Sequence, residues 1–498
     1  MRNFEPVAAV LMITGAFALA VACGSPTDGT CDETSSCPGG PPDGGGAESG
    51  ADVVPAGCDP SAEPKDAPKC VVSDFGVFVD GASGSDANAG TKESPVKSIG
   101  AALGKLGGKT RVYVCEGTYA EHVKLTSAVS LHGGFACGAW TYNGNKPKVA
   151  PADAGYALEV AGTTSDVVVS DLSFVARDAV DAGQSSVGVF VQNASKVLLL
   201  RNQVEAGAGK DGADGEAGTT GTITAVTGGG AVNASGYPAS GTTAGPIKTC
   251  TCSSGGTSSG AAGGGPMGAG ALGAPNLGGN APNDGAGGLA STSCAAAEPN
   301  GSGNLGADAT SASDATKVST LGALDLKGWN PQAGIAGSNG TSGQGGGGGG
   351  GRDGTSAGGG GGCGGCGGTG GKGGGGGGAS IAVVSLQSTV ALRASTLVTR
   401  AAGRGGVGGA KGIAMDGGAG ASGGPTGCGG GDGGRGGDGG SGSGGAGGVS
   451  AAVLYKGPKP VNEGSTLTPG ARGAKGVGGT PNMNDGPEGE SAEMVAAP

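Results

Sequence analysis

Between Ser165 and Val175 the chain reads SDVVVSDLSFV: apolar residues alternate at Val167 and Val169, and the next apolar position of the pattern, Phe174, falls on the opposite parity. The pattern returns as SKVLLLRNQVE from Ser195 to Glu205 and as STVALRASTLV from Ser388 to Val398, with the same switch at Val204 and Leu397. Strict alternation marks a strand with one buried face, so a change of parity within ten residues marks a strand that turns a corner. A further short strand precedes each copy: YALEV at Tyr156, VGVFV at Val187 and IAVVS at Ile381. Coils of strand, corner and strand, stacked on one another, predict an all-β solenoid, a parallel β-helix with one core along its axis.

Ahead of the coils, Ser94 and Pro95 suit the cap and first position of a short helix, with Val96, Ile99, Leu103 and Leu106 on one face before Gly107 and Gly108. Such a helix would cover the open end of the solenoid. The repeat is interrupted twice by glycine tracts, over 207–378 and 403–448. A worn last coil with Pro458 and Pro460 occupies 449–468, and a polar tail fills 469–498. The remaining divisions are a leader over 1–22, a linker over 23–70, the cap and first coils over 71–206, and a further coil over 379–402. Each tract leaves just after the second strand of its coil, so the tracts are expected to emerge from one edge of the rod. Ordering so many glycines is costly in backbone entropy, and the tracts are expected to be mobile and dispensable for folding. The other possibility is that they pack as polyproline II strands, which glycine at every third place permits.

Composition sharpens this division. The 498 residues include 122 glycines, and ten of the 15 aromatics lie between Val71 and Ala206, which is where the packed part is concentrated. The net charge of -11 comes mostly from residues 24 to 70, which hold nine acidic and two basic side chains. No basic stripe offers itself to phosphates, so no nucleic-acid partner is expected. An apolar run from Val7 to Ala22, too short for a membrane span, ends at Cys23. The eight prolines and the acidic residues that follow read as a tether reaching about 40 Å by random-coil scaling.

Thirteen cysteines include Cys23 and twelve others: Cys31, Cys37, Cys58, Cys70, Cys115, Cys137, Cys250, Cys252, Cys294, Cys363, Cys366 and Cys428. A secreted chain keeps such residues as disulfides, and Cys115 and Cys137, 22 residues apart, stand about one coil from each other. Cys250-Thr-Cys252 with Cys363-Gly-Gly-Cys366 is also a spacing that zinc uses. His122 and His132 are the two histidines, both within strand segments of the first coils, so a nucleophile–base pair would have to use one of them. Glu116 with Glu121 could pair as acid and base, and Asp80, Asp86 and Asn88 could bind calcium; as turn formers they are read first as backbone caps. The Gly-x-y runs are too short for a collagen triple helix, and the calcium-binding β-roll nonapeptide is missing. No catalytic, cofactor-binding or metal site is assigned.

Three stretches resemble known families. The ending ALAVAC resembles the lipobox of bacterial lipoproteins, which implies acylation of Cys23 and attachment to the cell envelope at the outer membrane or surface; an ordinary secretory peptide is the other reading. SDANAGT, SPVKSIGAAL, VYVCEGTYAEHV and VSLHGGF resemble a domain of unknown function found at the start of pectin-lyase-like proteins, which implies a right-handed parallel β-helix. GTYAEHV is also similar to a short motif of pectin methylesterases, with Glu121 at its glutamate, but that family's glutamine, aspartate and arginine motifs do not follow. Two function classes result: a non-catalytic structural or adhesive surface lipoprotein displaying glycine tracts, and a polysaccharide-binding or polysaccharide-active β-helix. The expected partners are the membrane, through the lipid, and envelope polysaccharides or proteins.

Overall fold

In a computed structural model, which describes residues 54–228, 233–290, 293–294 and 301–498, the alternating segments form three parallel sheets. The first sheet stacks Val77–Val79, Arg111–Cys115, Ser130–Phe135, Val167–Ser170, Val197–Leu200, Val390–Arg393 and Val461–Glu463. The second runs from Thr118–Tyr119 through Ser173–Val175, Gln203–Glu205 and Thr396–Val398 to Thr466–Thr468. The third runs from Val123–Leu125 through Ser186–Gln192, Ser380–Leu386 and Ser450–Lys456 to Ser491–Ala496. The three sheets together make a parallel β-helix.

One ladder from each sheet fills the interior. Val77, Val112, Leu131, Val169, Leu199 and Leu392 stack in the first, and Tyr119, Val149, Phe174, Val204, Leu397 and Leu467 in the second. Val123, Leu158, Val189, Val383, Val453 and Met494 complete the core from the third. The parity switch has a backbone cause. Asp171, Arg201, Ala394 and Gly464 hold equivalent places in successive coils, all at positive φ (58°, 53°, 48° and 71°). A single left-handed residue swings the chain from one sheet to the next and changes which parity faces inward.

The capping helix spans Ile99–Leu103, starting later than Ser94 and Pro95 suggested. Val96 instead forms a parallel bridge with Val79, and Ser98 caps the helix by accepting a bond from the Ala101 amide. Ile99 and Ala102 seal the end of the core. The segment read as a polar tail is also different: Ser491–Ala496 pairs with Ser450–Lys456 as a further strand of the third sheet. Its apolar residues, Met494 and Val495, are too few to stand out among the polar residues around them.

Apart from a small antiparallel sheet of Ile223–Thr227, Lys248–Cys252 and Thr257–Gly260 and a hairpin of Gly322–Asp325 and Gly328–Pro331, the described residues of the glycine tracts are neither helix nor sheet, yet their amides are widely hydrogen-bonded, contrary to the expectation of mobility. The amides of Gly209, Gly212, Gly215, Gly218 and Gly221 donate to the carbonyls of Ala401, Arg404, Val407, Ala410 and Ile413. The amides of Gly403, Gly406, Gly409 and Gly412 donate in turn to Gly378, Gly375, Lys372 and Thr369, running the opposite way. A bond at every third residue is the repeat of a polyproline II helix, and the tracts form a bundle of such segments.

A segment with three residues per turn has three faces, and a face laid directly against a neighbour's backbone has no room for a side chain. In the run Gly345 to Gly351 every face is occupied. A Cβ on Gly346 would overlap the carbonyl of Gly431, one on Gly347 that of Ala286, and one on Gly348 that of Ala262. All seven amides of that run are bonded. On the outer segment 209–221 the glycines Gly209, Gly212, Gly215, Gly218 and Gly221 share the face that meets a neighbour's backbone, and the places between hold Lys210, Asp211, Asp214 and Glu216. Glycine density therefore reports depth in the bundle.

Side chains close the remaining backbone groups. Asp211 accepts the amide of Arg404, Asp214 that of Val407, Asp308 that of Arg435 and Asp314 that of Ser441. Each of these amides belongs to the residue whose carbonyl is already taken by the Gly or Ala after the aspartate. Asp438 similarly holds the Ala414 amide, and that bond, with those to Lys411 and Arg435, brings its pKa down to about 2. At the seam between bundle and β-helix, Ser186, Ser380, Ser450 and Ser491 occupy one register, and their hydroxyls bridge Arg177, Gly207, Arg400 and Gly470 from coil to coil.

Candidate functional site

The outward ladder of the first sheet places Tyr113, His132, Ser170, Leu200, Arg393 and Glu463 side by side. A second ladder beside it runs from Arg111 and Ser130 to Val168, Leu198 and Ala391. Residues Pro60 to Pro64 cross above both, enclosing a cleft of about 630 Å³. The crossing segment is tied at its ends by the Cys58–Cys70 disulfide. Arg111 donates to the Pro60 carbonyl at 2.7 Å and lies over the Phe75 ring.

The corner residues supply the charge. Arg201 grips Asp171 with two bonds, Nε to Oδ1 at 2.9 Å and Nη2 to Oδ2 at 2.6 Å, and its Nη1 stands 2.7 Å from Glu63 of the crossing segment. Burial opposes this cation, but Asp171 and Glu63 outweigh it and raise its pKa. Tyr142 donates to the same aspartate at 3.0 Å. The repeat contained a signal for this cluster: Asp171 and Arg201 occupy the same place in consecutive copies, as do Asp166 and Lys196, which pair at 2.6 Å.

His132 lies on the floor of the cleft with Nδ1 2.9 Å from the Ser170 hydroxyl, against the Tyr113 ring. Burial, together with Arg111 and Arg201, pushes its pKa down to about 3. The imidazole is therefore neutral at ordinary pH and a weak base. Among the described residues no carboxylate is bonded to it, so the pair lacks the orienting acid of a nucleophilic triad.

The other candidates hold the backbone in place. Glu121 accepts the amides of Ile99 and Gly100 at 2.8 and 2.9 Å, capping the helix from the next coil. Glu116 accepts the side-chain amides of Asn143 and Asn145, so the two glutamates serve different elements rather than one site. Asp80 accepts from Ala82 and Ser83, Asp86 from Lys97 and Ser98, and the Asn88 side chain donates to the Pro95 carbonyl. The oxygens of both aspartates thus bond amides and hydroxyls of the same capping region. His122 contacts the Tyr156 carbonyl at 2.8 Å on the outside of the third sheet.

Ten cysteines form disulfides: Cys58–Cys70, Cys115–Cys137, Cys250–Cys363, Cys252–Cys366 and Cys294–Cys428. The four cysteines with zinc-like spacing are thus joined crosswise, one from each pair, and tie a small antiparallel sheet to the buried glycine segment. Cys23, Cys31 and Cys37 lie outside the described residues.

The fold is a parallel β-helix in which the candidate carboxylates Asp80, Asp86, Glu116 and Glu121 each accept hydrogen bonds from neighbouring backbone or side chains. A family described as a protein of unknown function (DUF1565) matches residues 82–245, about a third of the chain, from the capping region into the first glycine tract. No curated protein and no solved structure matches the chain.

Proposed function

We propose that this chain is a non-catalytic structural or adhesive protein of the bacterial cell surface. It is held by a lipid on Cys23, with the β-helix serving as the rod and the glycine bundle as the part displayed. The observation that carries this reading is the use of the candidate catalytic side chains as caps and clamps, while three disulfides brace the glycine segments. The ALAVAC ending supports the lipid.

The test has two parts. Intact mass of protein extracted from membranes is expected to begin at Cys23 and to include acyl mass, and Cys23→Ser is expected to release the protein from the membrane fraction. Acidic polysaccharides incubated with the protein, with and without calcium, are expected to remain uncut. A soluble mature form starting at another residue would remove the anchor, and product release would turn the assignment to a polysaccharide-active enzyme. The cleft over His132 and Ser170 supports a second reading, polysaccharide binding without cleavage; retention on an acidic polysaccharide column that is lost in Arg393→Ala would favour it.

A further inference from the structure

The loop from Cys58 to Cys70, which crosses above the cleft, is folded on itself. The amides of Cys58, Ala62, Asp66, Ala67 and Cys70 donate to the carbonyls of Pro55, Asp59, Glu63, Glu63 and Ala67, and the Cys58–Cys70 disulfide closes the loop. It contributes no strand to any sheet. Side chains tie it to the β-helix: Arg111 donates to the Pro60 carbonyl, Tyr113 to the Cys70 carbonyl at 2.8 Å, and Arg201 faces Glu63. Such a loop can lift from the sheet without breaking a ladder.

Glu63 is the acid that this loop brings to the cleft. Its Oε2 is shielded from solvent and lies 2.7 Å from Nη1 of Arg201 and 3.9 Å from Nζ of Lys65, yet it accepts no well-aligned hydrogen bond. The contact is one of charge, weaker than the aligned pair that the same guanidinium makes with Asp171 through Nε and Nη2. Asp171 therefore keeps Arg201 in place whether or not Glu63 is beside it. Arg393 is a second cation in the cleft wall, held through Nε by Glu463, and the field of Glu63 reaches it as well.

The geometry points to Glu63 as an internal stand-in for the carboxylate of a ligand: Arg201 and Arg393 form the acid-binding part of the cleft, and the loop lifts to admit a carboxylated glycan. This rests on the polysaccharide-binding reading given above and adds the ligand's class and the control of its entry. The cleft, at about 630 Å³, falls in the range of roughly 300–1,000 Å³ typical of ligand sites. Its lining offers Val168, Leu198 and Leu200 to the apolar face of a sugar ring, and Ser130, Ser165 and Ser170 to its hydroxyls. A peptide fits less well. The floor is the face of a sheet, whose backbone groups run to neighbouring strands and leave no ladder for another chain to join.

Calorimetric titration of the full-length protein with oligogalacturonate tests this. Glu63→Gln keeps the shape of the side chain and removes its charge, and at 36 % exposure the exchange leaves the fold intact. The variant is expected to bind about fivefold more tightly than the wild-type protein, the upper end of what a partly exposed ion pair contributes. Adding Arg393→Ala is expected to abolish the gain, and the methyl ester of the same oligosaccharide is expected to show none. Equal affinity of the wild-type and Glu63→Gln proteins overturns the role of the loop while leaving the cleft a binding site. Binding by neither overturns that role and the polysaccharide-binding reading together. A gain for polyglutamate in place of the glycan overturns the ligand class and gives the cleft to acidic peptides.

Discussion

At the scale of the residue, the corners of the coil are where local strain and ionic pairing meet. A side chain at positive φ costs roughly 1–2 kcal/mol against the right-handed region, and successive coils meet that cost differently. Asp171 and Arg201 are held there by their mutual ion pair, and Gly464 is free of the strain. Ala394 sits at φ 48° with neither a partner for its side chain nor a glycine's freedom. Ala394→Gly is therefore expected to raise stability by about 0.5–1 kcal/mol once the greater freedom of glycine in the unfolded chain is subtracted. In a protein of this size that corresponds to a melting temperature higher by about 0.5–1 °C, readable by calorimetry. A lower melting temperature would mean that the corner is not left-handed.

At the scale of the element, a buried polyproline II segment exchanges side-chain packing for backbone contact. Its stability rests on amides and carbonyls meeting in water-poor surroundings, where an unpaired group costs about 1–3 kcal/mol. The requirement for glycine is accordingly local. A Cβ at Gly348 would overlap the Ala262 carbonyl and disturb its bonding, whereas one at Gly265 meets nothing within 4 Å. Gly348→Ala is expected to destabilise by about 1–3 kcal/mol, the range of an overpacked core. Gly265→Ala, with less chain entropy to lose on folding, is expected to leave stability unchanged or slightly raised. Denaturation curves of the two variants check this pair, and equal behaviour would contradict the three-face account.

At the scale of the whole molecule, bundle and β-helix depend on each other. The hairpin of Gly322–Asp325 and Gly328–Pro331 lies within the first glycine tract, and its Leu324 and Trp329 cover Phe190, Val384 and Leu454 on the outside of the third sheet. Removing residues 207–378 would uncover those side chains and strip the carbonyl partners from Gly403, Gly406 and Gly409. The deletion is expected to lower the melting temperature and expose apolar surface. In the intact protein the amides of Gly345 to Gly351 are expected to exchange as slowly as those of the central strands. Exchange at unprotected rates along that run, measured by mass spectrometry, would return the tract to a mobile insertion.

The coil repeat was legible in the amino-acid sequence because a strand with one buried face must alternate, and because the switch of parity at Phe174, Val204 and Leu397 follows from one left-handed residue in each coil. The same alignment put Asp171 beside Arg201, and a separation near one coil put Cys115 opposite Cys137. None of these needs more than the register between adjacent coils. Other features were set by contacts distant along the chain. The strand Ser491–Ala496 has too weak an apolar pattern to be recognised without the edge it completes, and the start of the capping helix moved to Ser98 because Val79 claims Val96. The glycine segments are the extreme case. Glycine has no side chain to declare a face, and an isolated polyproline II strand makes no internal hydrogen bond, so apart from the density of glycine nothing local distinguishes a buried segment from a loose one. Order arises when several segments supply one another's carbonyls at once, and that is a property of the assembled bundle alone.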